Sequence, residues 1–150
     1  MPDFDTYLPL LPMAIQWLLS VEANALEHGR SLTEPEIQDA YAVGVKAPEK
    51  IRLLSVDQIT RPEQPELVKA GTEIGLLEES ALGRTVRYGI EIKHGSASRR
   101  LLRHEFRHVQ QFESADSFES FILDYVKSVF NDGYDNSWYE QDARAFEDAG

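Results

Sequence analysis

Apolar and polar residues alternate with two different periods along this chain, and the changes of period divide it into elements. A helical spacing of three and four begins at about residue 12 and runs to His28, where Gly29 stops it. Thr33 followed by Glu36 is a capping-box pair, with Pro35 tolerated in the first turn, and predicts a second helix to about Val43, ended near Gly44. Ile51 to Val56 is a short apolar run with the length of a buried strand, and Thr60 to Pro65 is a proline-bearing loop. Leu67 to Leu77, broken by Gly71 and Gly75, is ambiguous. Arg84 to Lys93 alternates strictly, Val86, Tyr88, Ile90 and Ile92 against Thr85, Arg87, Gly89, Glu91 and Lys93, and predicts one strand. Two more helices follow: Ser96 to Glu113, and Ser117 to Phe130 with Phe118, Phe121, Ile122, Tyr125, Val129 and Phe130 at core spacing. A turn over 131–136 then leads to Ser137, in place to cap a last helix.

The helix at 96–113 carries the chemistry. Its residues 104–108 read His-Glu-Phe-Arg-His. Two histidines four apart lie on one helix face, so both imidazoles reach the same metal ion. Glu105 is beside His104, placed to take a proton from a water on the metal without ligating it. At about 100° per residue, His104, Glu105, His108 and Phe112 share one sector. Leu102, Phe106 and Val109 form the adjacent core stripe. Arg99, Arg100, Arg103, Arg107 and Gln110 form a third, basic stripe on the far side.

On these residues the chain resembles a zincin metallopeptidase, and within that group the gluzincins. The metzincin branch needs Gly and His where this chain has Gln111 and Ser114. The stretch from Tyr139 to Ala145 resembles the Glu-x-Glu-Ala segment that supplies the third ligand in small bacterial gluzincins, with Asp142 where a second Glu often stands. The resemblance implies a zinc ion held by His104, His108 and Glu140, with Glu105 as general base. Glu147, a further turn along, is the competing ligand. Arg144 stands where many gluzincins have an Asp that holds the first ligand histidine, so another group must orient His104. With the metal site, Arg144 itself is expected beside Glu140 or Glu147.

The implied fold class is α+β and zincin-like: N-terminal helices, a small mixed sheet, the metal helix, a connecting helix and the Glu-bearing helix, in a single domain over residues 1–150. The resemblance also implies that the strand before the metal helix is a free edge that takes an extended substrate. The implied activity is hydrolysis of a peptide or protein substrate. His94, Tyr134 and Tyr139 are the candidate donors to the oxyanion. Two other readings stay open: a zinc-binding regulatory or interaction protein on a catalytically degenerate fold, and a helical adaptor without metal.

Composition narrows the partners. The 150 residues are 42% hydrophobic, enough for a sizeable core, and the net charge of −11 argues against nucleic acid. The helix arginines are therefore expected to pair with carboxylates. Cysteine is absent, so any metal site uses histidine and carboxylate ligands. Residues Tyr7 to Val21 are apolar, but Asp3 and Asp5 stand where a signal peptide needs positive charge, and Pro9, Pro12 and Gln16 interrupt the run. The expectation is an amphipathic helix in a cytoplasmic protein without membrane insertion. No residue pattern sets an oligomeric state.

Overall fold

The computed structural model describes residues 3–148. Helix α1 spans Leu11–His28 and α2 spans Glu34–Ala42, with the two-residue strand β1, Arg30–Ser31, between them. Strand β2 (Arg52–Val56), helix α3 (Pro65–Ile74) and strands β3 (Gly83–Val86) and β4 (Gly89–Lys93) follow. Helices α4 (Arg99–Ser114), α5 (Phe118–Asp132) and α6 (Trp138–Ala145) complete the chain. The class is α+β, with a mixed sheet ordered β1-β2-β4-β3. β2 and β4 are parallel, while β1 pairs with β2, and β3 with β4, antiparallel.

Residues 84–93, expected as one strand, form a hairpin. Val86 pairs with Gly89, and Arg87 and Tyr88 make the reversal. A two-residue hairpin needs positive φ in its loop, which Gly or Asn usually supplies. Here Arg87 adopts φ 55°, and Glu22 on α1 holds it there through hydrogen bonds of 2.8 and 2.7 Å. The unbroken alternation concealed the turn, because Arg87 and Tyr88 continue the polar-apolar pattern. A second correction follows. The strand before α4, β4, lies inside the sheet, whose edges are β1 and β3.

The sheet lies between α1 and α4. Gly89 admits α1 on one face: a β-carbon there would stand 3.0 Å from Ala25 Cβ and 3.1 Å from the Glu22 carbonyl oxygen. On the other face Ile90 and Ile92 pack with Leu102, Phe106 and Val109, all buried, as the core stripe of α4 predicts. Burying each such side chain stabilises the fold by roughly 1.5–3 kcal/mol, so this seam fixes how α4 is rotated on the sheet. A second cluster joins Ile15 of α1 to Phe121 and Ile122 of α5, with Phe112 packed against it.

The ends of the helices follow local chemistry. Thr33 and Glu36 form the expected reciprocal cap on α2. The ambiguous stretch after Leu67 is helical to Ile74, where Gly75 turns left-handed at φ 94°. The chain then folds back so that Leu77 packs over Gly71, at 2.8 Å from where a β-carbon would stand. Ser137 precedes α6 but does not cap it with its side chain; its hydroxyl bonds Ser128 of α5 at 2.7 Å. Among the described residues no helix is long and apolar enough to cross a membrane.

Candidate metal centre

Because Phe106 and Val109 anchor α4 to the sheet, His104 and His108 turn together toward α6. Their rings lie 4.9 Å apart, centroid to centroid. Ala143, fully buried, lets α6 come close, and Glu140 on the same face reaches both rings: its carboxylate oxygens are 3.0 Å from His104 Nε2 and 3.2 Å from His108 Nε2. Glu140 is 1% exposed. Tyr125 of α5 donates to the same carboxylate at 2.5 Å. His104, His108 and Glu140 each offer a ligand atom within 4.8 Å of the others, a group that can hold a metal ion.

The surroundings of the histidines test that fit. His104 Nδ1 faces Glu147 Oε2 at 2.9 Å, and His108 Nδ1 faces Gln111 Oε1 at 2.8 Å. Gln111 is held in turn by donating to the Tyr139 carbonyl at 3.0 Å and to Asp142 at 2.9 Å. Each Nδ1–H thus has an acceptor, which leaves the two Nε2 atoms aimed at one point. That is the tautomer and orientation a metal-ligating histidine needs.

Without a metal, His104 lies between two carboxylates that only accept hydrogen bonds, so both ring nitrogens carry protons. Burial opposes this charge, but the bond to Glu140 and the charge of Glu105 outweigh it and raise the His104 pKa. Burial likewise opposes charge on His108, yet the bond to Glu140 and its charge push the ring up to about 9. For Glu140 burial works the same way, and the two histidines together with Tyr125 hold its carboxyl well below the usual carboxylate range. The centre is therefore a buried cluster of mutually paired charges, and a cation bound by the two Nε2 atoms would displace their protons.

Glu105 is buried beside this cluster and outside the ligand group. The Thr85 hydroxyl stands 2.9 Å from its Oε1 and 3.1 Å from its backbone carbonyl oxygen. Gly83, two residues earlier on β3, leaves the carboxylate room: a β-carbon would be 3.2 Å from Glu105 Cδ. Edge strand β3 and helix α4 thus meet at Glu105.

Of the candidate oxyanion donors, Tyr134 lines the cavity over the cluster. The residue is 42% exposed, but desolvation of its hydroxyl and then the charge of Glu140 raise its pKa, so it stays protonated. His94 is turned away, 3.4 Å from Asp57 at the surface, and Tyr139 packs against Phe121 and Tyr125. Neither lines the cavity. Arg144, expected beside the ligands, points outward and bonds the Asp135 carbonyl. The arginines of α4 pair with carboxylates, as expected, while the side chains of Arg99 and Arg100 stay largely exposed. Arg99 pairs with Asp39, Arg100 with Glu147 and Asp148, and Arg107 with Asp142, while Arg103 is buried near Asp39.

The sequence placed Tyr125 among core residues and gave no role to Gln111 or Thr85, because each acts through a partner remote in sequence. The cavity has a volume of about 670 Å³ and is walled mainly by apolar side chains of α1, α3 and α5, within the size range of ligand pockets. No family model matches the chain, and comparison with curated proteins and with solved structures finds no significant match.

Proposed function

We propose that the protein is a zinc-dependent peptidase built on a zincin-like fold of the gluzincin type. The observation that carries this reading is the buried His104–His108–Glu140 group with Glu105 beside it, all opening on one cavity. Two imidazoles and a carboxylate, with no thiolate, form a ligand set typical of catalytic zinc. Zinc in that group supplies a Lewis acid that polarises a carbonyl and acidifies a water.

The chain's own residues do the rest. Glu105 Oε accepts a proton from the attacking water as its oxygen bonds to the scissile carbonyl carbon. The same carboxyl then passes that proton to the amine nitrogen as the C–N bond breaks, and is restored. Thr85 keeps the carboxylate aimed during both transfers. The protonated phenol of Tyr134 donates to the carbonyl oxygen as negative charge develops there. The free edge of β3 pairs with the substrate backbone in extended form, and the apolar walls exclude water from the reacting groups.

The deciding experiment measures metal content and turnover of a mixed peptide library, for the wild type and for Glu105→Gln. Zinc near one per chain with cleavage only by the wild type supports the reading. Zinc without cleavage by either protein favours a zinc-binding regulatory or interaction protein. Absence of bound metal ends both.

A further inference from the structure

Among the described residues, one cation that lines the cavity has no carboxylate partner within ion-pair distance. Arg84, on edge strand β3, is the only lysine or arginine lining that cavity among the described residues. Arg30, Arg87, Arg99, Arg100 and Arg107 each hold a carboxylate at 2.6–2.8 Å. Arg84 donates only to the backbone carbonyl of Thr60. Its guanidinium lies 5.3 Å from the centre of the Trp17 ring, which packs against it from α1.

The nearest candidate for an internal partner is already engaged. Glu91 pairs with Arg84 across the two strands, but its carboxylate accepts from Thr60, at 3.0 Å from the backbone N–H and 2.5 Å from the hydroxyl. A guanidinium has five N–H donors in a fixed fork. One is used here, and among the described residues no protein acceptor engages the others. Partly burying an uncompensated cation is costly unless something supplies the opposite charge. Arg84 projects from β3 on the face opposite Thr85, toward Trp17, yet it lines the same cavity as Glu105, and the charges of Glu91 and then Glu105 reach it without direct contact.

We propose that Arg84 is a specificity-determining residue that binds a carboxylate of the substrate, so that the cavity takes a peptide carrying that group near the bond to be cut. The inference rests on the peptidase reading for its use, although not for the binding itself. Two sources offer this chemistry: the C-terminal carboxylate of the peptide, or an Asp or Glu side chain within it. Trp17 and the Thr60 carbonyl fix the fork, and the bidentate geometry of guanidinium and carboxylate gives orientation as well as affinity.

The test uses the full-length protein, with and without zinc, and three matched short peptides. One ends in a free carboxylate; one ends in an amide and contains Glu; one ends in an amide and contains Gln. Binding is read from Trp17 fluorescence in a Trp138→Phe background, and cleavage is followed separately. One of the two carboxylate peptides should bind about tenfold or more tightly than the neutral one, the size of a charge-assisted hydrogen bond, and which one does so identifies the source. Arg84→Gln should abolish that preference, and Arg84→Lys should keep part of it, which a merely structural arginine would not do. Equal binding of all three peptides, no binding of any, or a preference that survives Arg84→Gln overturns the proposal. If Arg84→Gln does not fold, an Arg84→Lys preference equal to that of the wild type overturns it. Carboxylate preference without cleavage leaves the Arg84 site standing and removes the peptidase reading; cleavage without preference does the reverse.

Discussion

Glu147 stands 2.9 Å from Nδ1 of His104, on the side of the ring opposite Glu140. It thus occupies the place that Arg144 leaves open, and on the proposed zinc reading it orients the histidine while Glu140 ligates. Arg100, at 2.6 Å, fixes Glu147 in turn. Loss of such an outer partner typically weakens metal affinity by about 10–100-fold. Glu147→Ala should therefore weaken zinc binding by about that factor, whereas Glu140→Ala, which removes a ligand, should weaken it further. Competition with a chelator of known affinity measures both. Equal or reversed losses would mean that the two carboxylates have exchanged roles.

Glu105→Gln should bind zinc as the wild type does, because Glu105 lies outside the ligand group, and should lose hydrolysis by about 10²–10⁴-fold, the usual worth of a general base. Thr85→Ala should cut turnover less, since it removes only the hydroxyl that aims the carboxylate. Metal analysis and peptide turnover together check this, and a Gln variant that loses zinc would show Glu105 to be a ligand.

How much of this could be read from residues alone depended on where each partner lies in the chain. His104, Glu105 and His108 are four residues apart at most, so helix geometry places them. The core stripe of α4 is equally local, and Ile90 and Ile92 confirm it from the sheet. Glu140 lies 36 residues from His104; the motif resemblance suggested it and packing against Ala143 brings it in. The positioning groups had no comparable signal. Gln111 joins His108 to Asp142 through an ordinary amide, and Tyr125 sits at core spacing while its hydroxyl reaches Glu140. The hairpin was hidden for another reason: Arg87 takes a conformation usually left to Gly or Asn, and the contacts that hold it there, with Glu22 and Phe118, are distant in sequence.

Gly89 sets the distance between α1 and the sheet, so Gly89→Ala should destabilise the fold by about 1–3 kcal/mol, the usual cost of overpacking. The added carbon meets Ala25 Cβ at 3.0 Å and backbone of Glu22 at 3.1 Å, and backbone cannot swing aside as a long side chain can. Urea denaturation with an unchanged slope and a lower midpoint would report this. A variant as stable as the wild type would mean that α1 lifts from the sheet at little cost.

The protonation of the metal centre gives stability a pH dependence that zinc should reverse. In the metal-free protein the pKa of His108 is raised from 6.5 to about 9, and that of His104 is raised as well. A raised pKa means that the folded state holds the proton more tightly than the unfolded chain. The resulting stability is complete below about pH 6.5 and is lost as pH rises through about 9. The depressed pKa of Glu140 acts at the other end: its contribution is present above 4.5 and is lost as pH falls. Zinc needs both Nε2 atoms free of protons, so binding releases protons and strengthens over the window in which the metal-free protein weakens. The rise in Tm on adding zinc should accordingly grow from pH 6 to pH 9, while the Tm of chelated protein falls. In His108→Gln, with one titrating ring removed, the fall in the chelated protein should become smaller. Thermal unfolding of both states across that range measures the effect, and a zinc-induced rise in Tm that stays flat with pH would exclude His104 and His108 as the groups that give up protons to the metal.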